Sequence, residues 1–306
     1  MNVIMKPKVA VVLAVYNGID WIQEQLESIL IQKNVAVTIF ISIDPSTDQS
    51  EMFCRKFAIE YENIKVLPNA GKYGGAAKNF FRLIRDVNFS DFDYLAYADQ
   101  DDIWFKEKLD NAINTIVKTK SDGYSSNVIA FWSDGKQALI EKSQPQREWD
   151  YLFEAAGPGC TYVMTVELAM QIKKTTIANW SRINLLELHD WFSYAYARAN
   201  GYEWYIDYQP SMFYRQHSTN QVGVNIGLRA FLYRIRKIIG GWGFEQSNLI
   251  AELVGKSDSA FVKTWCNFER YGFFKLAFNA NKCRRKPIER GLFFIVCMYM
   301  VIVGKR

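Results

Sequence analysis

The sequence lacks several features that would assign it to a familiar class. Its five cysteines are scattered without a C-x-x-C pair, so neither a disulfide framework nor a zinc site is indicated. Only two histidines occur, and a net charge of +5 is too small to indicate nucleic acid as a partner. No apolar run reaches the ~20 residues that span a bilayer. Without a secretory signal at its start, the chain is expected to stay in the reducing cytoplasm.

What the sequence does contain is an alternation of strand and helix patterns. The continuous apolar run at residues 9–15 is typical of a strand buried on both faces, and further strands are predicted at 35–43, 64–67 and 94–98. Helical spacing separates these strands. The order predicts an α/β fold with a mostly parallel central sheet and helices on both faces.

The second half of the chain continues the pattern less regularly. Strands are predicted at 128–132, 160–166 and 202–208, helices at 106–120, 167–174 and 190–199, and a polar loop at 214–223. Ligands of parallel α/β sheets bind beyond the carboxyl ends of the strands. Four unusual segments end predicted strands, and we expect them to meet on one rim: Tyr16-Asn17, Asp44, residues 69–78, and Asp99 to Asp102.

The most unusual of these segments is YADQDDIW at 97–104, where Asp99, Asp101 and Asp102 fall within four positions. Three carboxylates this close need a cation, strong hydrogen bonds or solvent. One reading is a solvated turn after a strand. The other is a site for Mg²⁺ or Mn²⁺, which would neutralise a nucleotide diphosphate as a leaving group.

Two more segments of the rim suit a nucleotide. Asp44 follows a buried strand, where an acid can hydrogen-bond a base edge or ribose, although an Asx turn with Ser46 and Asp48 is the alternative. The loop NAGKYGGAAKN at 69–79 offers glycines for close backbone approach, with Lys72 and Lys78 for phosphate charge. It lacks the GxxxxGK[ST] spacing, which argues against a P-loop kinase.

Taken in order, these motifs resemble those of the inverting family-two glycosyltransferases with the GT-A fold. The resemblance covers residues 11–223 and is carried by VVLAVYNG, IDPSTD, NAGKYGGAAKNF, YADQDDIW, HDWFSYAYARANG and YRQHSTNQVG. The nearest branch is the bacterial rhamnosyltransferase-like one, which builds surface polysaccharides. This implies a nucleotide-diphosphate-sugar donor, expected to carry rhamnose, and a glycan or polyprenyl-diphosphate-linked acceptor.

The resemblance also implies roles for individual residues. Asp190, in HDW, would be the catalytic base, whereas the alternative is a helix N-terminal acid stabilised by the helix dipole. The ligands of Mn²⁺ or Mg²⁺ would be Asp101, Asp102 and His217, although His217 also has a diphosphate-binding or structural alternative. The donor would be bound by Tyr16, Asn17, Glu24, Asp44, Lys72, Asn79, Asp99 and Arg215.

One departure from the family pattern concerns the second strand. The family motif resembles DDGSTD, but here Ile43 replaces the first acid and Pro45 replaces the glycine. The departure leaves the nucleotide of the donor open.

The C-terminal part differs in character, so we predict a catalytic domain at 1–226 and a helical extension at 227–306. Residues 227–239 have the pattern of a basic amphipathic helix, and a basic cluster at 282–286 precedes the apolar run 292–303. That run is too short to span a bilayer. We expect peripheral contact with the inner face of the cell membrane. The alternative is that these apolar residues pack on the catalytic domain.

The sequence therefore predicts a metal-dependent, inverting enzyme that adds single sugars. A nucleotidyltransferase is a second hypothesis, but the glycine-rich GxGxRxxPLTxxxPK loop is missing. A third is a non-catalytic sugar-binding protein, against which the presence of both Asp101 and Asp190 argues.

Overall fold

The computed structural model describes residues 5–217 and 240–304 of the chain. Its strands are β1 Lys8–Val15, β2 Ala36–Ile43, β3 Ile64–Val66, β4 Tyr94–Ala98, β5 Ile103–Trp104, β6 Gly123–Ser126, β7 Val128–Trp132, β8 Gln137–Ile140, β9 Val163–Thr165, β10 Trp204–Asp207 and β11 Met212–Gln216. Its helices are α1 Ile22–Leu30, α2 Ser50–Glu60, α3 Ala76–Asp86, α4 Lys108–Thr119, α5 Val166–Ala178, α6 Trp180–Ile183, α7 His189–Ala199, α8 Trp242–Leu253, α9 Ala260–Lys263, α10 Arg270–Phe278, α11 Ala280–Cys283 and α12 Pro287–Val303. The segment 227–239, predicted as a basic amphipathic helix, lies outside the described residues.

The central sheet has seven strands in the order β10-β6-β9-β4-β1-β2-β3. All its pairings are parallel except those of β9, which runs antiparallel to both β4 and β6. The predicted fold class, a mostly parallel sheet between helices, is confirmed. The carboxyl ends of β1, β2 and β4 therefore lie side by side, as the sequence predicted.

The apolar run of β1 is continuous because both of its faces are covered. Val9, Val11 and Leu13 pack in one core cluster with residues of α1, α2 and α4. Ala10 and Val12 pack in the other cluster with residues of α3, α5 and α7. Side chains of a strand alternate between the two faces of its sheet, so a strand with helices on both sides needs apolar residues at every position.

A second sheet of four strands, in the order β5-β11-β7-β8, lies beside the first. The prediction of a polar loop at 214–223 is wrong for Tyr214 to Gln216. These residues belong to β11, which pairs with β7. Aromatic packing outweighs the polar pattern: Phe213 contacts the rings of Phe105 and Phe131 at centroid distances of 5.0 and 5.9 Å. Residues 218–223 of the predicted loop lie outside the described residues.

One other predicted strand is shortened, and β5, β6 and β8 were not predicted. The strand expected at 160–166 is shortened, because Gly159–Thr161 form a single 3₁₀ turn before β9 begins at Val163. β6 has the sequence GYSS, which carries no apolar alternation, and only its pairing with β9 and β10 makes it a strand.

The helices after residue 240 share a core with the rest of the molecule. Trp265, Phe273 and Cys297 are buried in the same cluster as Phe153, whose ring lies 5.3 Å from that of Trp265. One side of this part therefore packs on the preceding residues, as one of the two alternatives proposed, and the membrane contact stays a prediction. None of the helices in residues 5–217 and 240–304 has the length and apolar composition needed to cross a bilayer.

Candidate functional site

Hydrogen bonds tie the loops at the carboxyl ends of β1, β2 and β4 to one another. The side-chain amide of Gln100 pairs with the backbone of Tyr16, accepting from its N–H at 2.8 Å and donating to its carbonyl at 2.9 Å. Asn17, in the left-handed region with a φ of 46°, accepts from the N–H of Thr47 at 2.8 Å and donates its own N–H to Ser46 Oγ at 3.1 Å. The three loops form one rim, on which the Tyr16 side chain is 50% exposed.

Asp44 holds the glycine-rich loop in place. Its two carboxylate oxygens accept the backbone N–H groups of Tyr73 and Gly74, each at 2.9 Å. The carboxylate therefore hydrogen-bonds this loop and does not form the alternative Asx turn with Ser46. Lys72 lies on the same loop and is exposed. Contacts of Asp44 and Lys72 with a nucleotide stay predictions.

Asn79 lies beneath the rim rather than on it. It is 2% exposed, accepts a hydrogen bond from Ser42 Oγ, and donates to the Ser42 carbonyl at 3.0 Å. Arg82 Nη1 also donates to Ser42 Oγ, at 2.8 Å. These contacts join α3 to β2, and donor binding by Asn79 stays a prediction.

Asp101 and His217, which are 116 residues apart, meet on the rim. His217 Nε2 lies 2.7 Å from Asp101 Oδ2, and its ring stacks on Trp21 with centroids 4.0 Å apart. Arg215 Nε donates to the carbonyl of Asp101 at 2.8 Å, and its guanidinium forms an ion pair with Glu24. Four residues that the sequence analysis selected are thus brought together: Glu24, Asp101, Arg215 and His217.

Asp102 is buried more deeply than its neighbour Asp101, which is 9% exposed. Asp102 is 0% exposed, its Oδ1 accepts the N–H of Arg215 at 3.2 Å, and its Oδ2 has no hydrogen-bond partner among the described residues. Burial, followed by the charges of Asp101 and Asp99, raises the pKa of Asp102 well above its ordinary value. This carboxyl anchors β11 to the acidic loop.

Lys108 is a residue of the site that the sequence analysis missed. It is 1% exposed, its Nζ donates to the carbonyl of Cys160 at 2.9 Å and lies 3.3 Å from the ring centroid of Trp104. Burial lowers the pKa of Lys108 to about 7, against the opposing effect of the neighbouring Asp102 and Asp99. The sequence did contain a signal for its burial. Lys108 precedes the buried Ala112 by four residues in α4, so the two side chains lie on the same face of the helix.

Asp190 lies in the first turn of α7, where its Oδ1 accepts the N–H of Trp191 at 2.8 Å. Burial raises its pKa to about 6, although backbone hydrogen bonds oppose the shift. The pKa of Asp99 is raised to about 7 by burial and then by the charges of Asp101 and Asp190. The geometry agrees, because Asp190 lies against Gly159 and Asp99 lies beside the adjacent Cys160, with ligand atoms within 4.8 Å.

The absence of a side chain at Gly159 leaves room for the side chain of Asp190. A Cβ at Gly159 would lie 2.9 Å from Asp190 Cβ and 3.2 Å from His189 Nε2. His189 itself is buried, stacks on Phe80 at a centroid distance of 3.8 Å, and has a pKa lowered to about 3 by burial. The imidazole of His189 is therefore neutral at physiological pH and packs beneath the site.

Two groups of side chains could hold a metal ion. Asp99, Asp102 and Cys160 place ligand atoms within 4.8 Å of one another, but burial raises the pKa of the Cys160 thiol well above its usual value. A protonated thiol is a poor ligand for Mg²⁺ or Mn²⁺, which prefer oxygen. Asp101 and His217 offer a carboxylate and an imidazole that lie side by side, with their side chains 13% and 16% exposed, and this pair fits Mn²⁺ better.

Comparison with known proteins gives a consistent result. The profile described as "Glycosyl transferase family 2" matches residues 10–156. The chain is 44% identical over 279 residues to the dTDP-rhamnosyl transferase RfbG of Shigella flexneri, covering 91% of this chain and 96% of that protein. It is 29% identical over 113 residues to the putative glycosyltransferase EpsE of Bacillus subtilis (strain 168), covering 37% and 39% of the two chains.

Solved structures share the fold at low sequence identity. S. aureus TarS in complex with UDP-GlcNAc superposes with a TM-score of 0.54 at 15% identity, covering 97% of this chain and 90% of that one. The mannosyltransferase PcManGT from Pyrobaculum calidifontis, in complex with GDP-Man and Mn²⁺, gives a TM-score of 0.52 at 15% identity, covering 99% and 89%.

Proposed function

The chain belongs to glycosyl transferase family 2 and is a glycosyltransferase with the GT-A fold, and on that premise we propose that it inverts the anomeric centre it transfers, using Asp190 as the base. The observation that carries this proposal is the position of Asp190. It lies against Gly159, next in sequence to Cys160, whose sulfur is within 4.8 Å of a carboxylate oxygen of Asp99, and its pKa is raised to about 6.

The chemistry assigned to Asp190 is proton removal. An acceptor hydroxyl is a weak nucleophile near neutral pH, and a carboxylate within hydrogen-bond reach takes its proton as the new bond forms. The acceptor oxygen bonds to the anomeric carbon while the bond from that carbon to the diphosphate oxygen breaks. Because attack comes from the face opposite the leaving group, the configuration inverts. A pKa of about 6 leaves Asp190 ionised at neutral pH and makes it a stronger base than an ordinary aspartate.

Asp101 and His217 are the residues that would hold Mn²⁺ or Mg²⁺, supported by their contact on the rim. When bound, the ion supplies positive charge to the leaving diphosphate. Asp102, the other predicted ligand, is supported less well, because its carboxyl group is buried and bonded to the backbone of Arg215. For Asp99 we propose contact with ribose or the ion.

For the donor we propose a nucleotide-diphosphate deoxyhexose, with dTDP-rhamnose as the first candidate. The support is the 44% identity to a protein named as a dTDP-rhamnosyl transferase, over nearly the full length of both chains. Tyr16, Asn17, Glu24 and Arg215 line the rim on which this donor would lie, with the loop carrying Lys72 beside them. Ile43 and Pro45 distinguish the base-binding segment from the DDGSTD pattern.

For the acceptor we propose a glycan of a bacterial surface polysaccharide, carried on a polyprenyl diphosphate. An acceptor of this kind requires an enzyme in the cytoplasm that contacts the inner face of the cell membrane. The apolar outer surface of the C-terminal helices supports this contact.

The proposal is tested by assaying the purified chain with dTDP-rhamnose, UDP-GlcNAc and GDP-Man, with and without Mn²⁺. We expect metal-dependent release of dTDP from the first donor and a rise in melting temperature with that donor, since a ligand that binds the native state stabilises it. Binding without turnover would favour the non-catalytic alternative. Pyrophosphate release from a nucleoside triphosphate and a sugar phosphate would favour a nucleotidyltransferase.

Two variants separate the roles of the adjacent carboxyl groups. Asp101→Asn should raise the Mn²⁺ concentration that gives half-maximal activity. Asp102→Asn should leave that concentration unchanged and lower the melting temperature instead. If the two variants exchange these effects, the assignment of Asp101 and His217 to the metal is wrong.

A further inference from the structure

The outer surface of α10 and α12 exposes large apolar side chains in a continuous pattern. On α12, Ile288, Leu292, Ile295, Tyr299 and Ile302 recur at helical spacing, and every one of these positions is exposed. On α10, Phe278 is 64% exposed and its ring meets that of Phe294 at a centroid distance of 5.7 Å. We call this surface the apolar face.

α12 cannot turn the apolar face inward, because its opposite side is already part of the core. Cys297 is 0% and Met300 3% exposed, whereas Ile295 is 63% and Ile302 74% exposed. The start of the helix is also fixed, since Arg284 pairs with Glu289 at 2.7 Å. Soluble monomeric proteins rarely expose contiguous apolar surface of this extent, so the apolar face indicates a contact with another phase or molecule.

Charge favours an anionic lipid surface as that contact. Residues 270–304 contain seven Lys or Arg and a single acid, Glu289. Arg285 is buried against Asp150, and Arg284 and Lys282 pair with Glu289 and Glu148. The basic residues that remain for the margins of the apolar face are Arg270, Lys275, Lys286 and Arg290. No charged residue occurs from Gly291 to Val303. An uncharged apolar surface with basic residues at its margins is the pattern of helices that lie in the interface of an anionic membrane.

The length and packing of α12 decide how it meets a bilayer. At 17 residues it is about 25 Å long, shorter than a spanning helix, and one of its sides is held by protein. A helix of this kind is suited to lie in the plane of the interface, with one side among the acyl chains and the other on its own protein.

We propose that the apolar face inserts into the interfacial layer of an anionic bilayer, with α12 parallel to the membrane surface. The inference deepens the membrane contact of the proposed function by naming the surface that makes it. It does not depend on which sugar is transferred.

The test is co-sedimentation of the full-length chain with vesicles of equimolar phosphatidylglycerol and phosphatidylcholine, and with vesicles of phosphatidylcholine alone. We expect tighter binding to the anionic vesicles. The double variant Ile295→Glu/Ile302→Glu should bind on the order of 10-fold or more weakly, because two apolar insertions are lost. The matched control is Ile59→Glu on α2, where an isoleucine that is 85% exposed lies outside the apolar face, and it should bind like the wild type.

Three outcomes would overturn the proposal. The first is unchanged vesicle binding by the double variant, which would assign the contact to another part of the chain. The second is an absence of vesicle binding by the wild type. The third is a wild-type dimer in light scattering that the double variant converts to monomer without any lipid effect, which would make the apolar face a contact between copies.

The readout also separates this inference from the proposed function. Donor turnover with a water-soluble acceptor should be equal in the wild type and the double variant, and a matching melting temperature shows that the variant is folded. If the wild type shows no donor turnover, the proposed sugar transfer is refuted. The vesicle-binding result does not depend on that outcome.

Discussion

Two regions of the molecule contain buried carboxyl groups, and the regions differ in how many partners those groups have. Asp150 is 0% exposed and its carboxylate accepts hydrogen bonds from Tyr194 at 3.0 Å, Arg285 at 3.2 Å and Arg198 at 3.3 Å. Beneath the rim, Asp102 Oδ1 accepts only a backbone N–H, its Oδ2 has no hydrogen-bond partner among the described residues, and the pKa of the neighbouring Asp99 is raised to about 7. Removing one partner from a buried ion pair is strongly destabilising, whereas carboxyl groups with strongly raised pKa values are typical of functional sites.

The paired region also explains how the C-terminal helices relate to the site. Arg285 comes from the segment between α11 and α12, while Tyr194 and Arg198 lie on α7, the helix whose first turn carries Asp190. Asp150 joins these segments. The predicted division at residue 226 stays a prediction, but deleting everything after it would leave Asp150 without Arg285, so point variants test the tail better than truncation does.

The largest effect is expected for kcat when Asp190 is replaced, because Asp190 belongs to the region whose carboxyl groups have raised pKa values. Asp190→Asn keeps the shape and the hydrogen bond from the N–H of Trp191 but removes the base, so kcat should fall about 10²–10⁴-fold. The melting temperature should change little. The measurement is donor turnover with acceptor present. Wild-type kcat in a folded Asp190→Asn protein would rule out this residue as the base.

At the Asp150 cluster the expected loss is of stability rather than of chemistry. Arg285→Met leaves a buried carboxylate short of one partner and should lower the free energy of unfolding by about 3–5 kcal/mol. Lys282→Met is the control, because its pair with Glu148 is about half exposed and should contribute ~0–1 kcal/mol. Denaturant titration measures both. Equal effects of the two substitutions would show that Asp150 is not a structural centre.

A smaller change in geometry is expected from Gly159→Ala. The added methyl group would lie 2.9 Å from Asp190 Cβ, so Asp190 must shift, and a displacement of this size should lower kcat by about 10²-fold. Gly243→Ala in α8 is the control, since a Cβ there meets nothing within 4 Å. If kcat of Gly159→Ala equals that of the control, the position of Asp190 is not critical.

The mildest perturbation is a change of pH. The base must be ionised, and burial raises the pKa of Asp190 to about 6, so kcat/KM should fall tenfold per unit as the pH drops below about 6. An aspartate of ordinary pKa would show the fall near 4 instead. A rate profile between about pH 4.5 and 8 tests this, with circular dichroism at each pH to confirm folding. A profile that stays flat to the lower limit would contradict the raised pKa.

The sequence predicted the rim well because its signals are local. A buried strand followed by polar residues is readable in a few positions, and the carboxyl ends of parallel strands must share an edge. The structure accordingly joins Tyr16, Asn17 and Gln100 at that edge. Lys108 was missed although its spacing from Ala112 places it on the buried face of α4. The strand at Tyr214 was not predicted because it depends on aromatic partners far along the chain.

The sequence by itself determined the fold class, the placement of the acidic segment at a strand end, and the selection of Asp101, Asp190 and His217. Only the tertiary structure decided how the three neighbouring aspartates differ. Asp101 meets His217, Asp102 turns inward to the backbone of β11, and the pKa of Asp99 is raised by burial and by the charges of Asp101 and Asp190. The physical reason is that the pKa and partners of a carboxyl group depend on burial by residues more than a hundred positions away, which no local pattern contains.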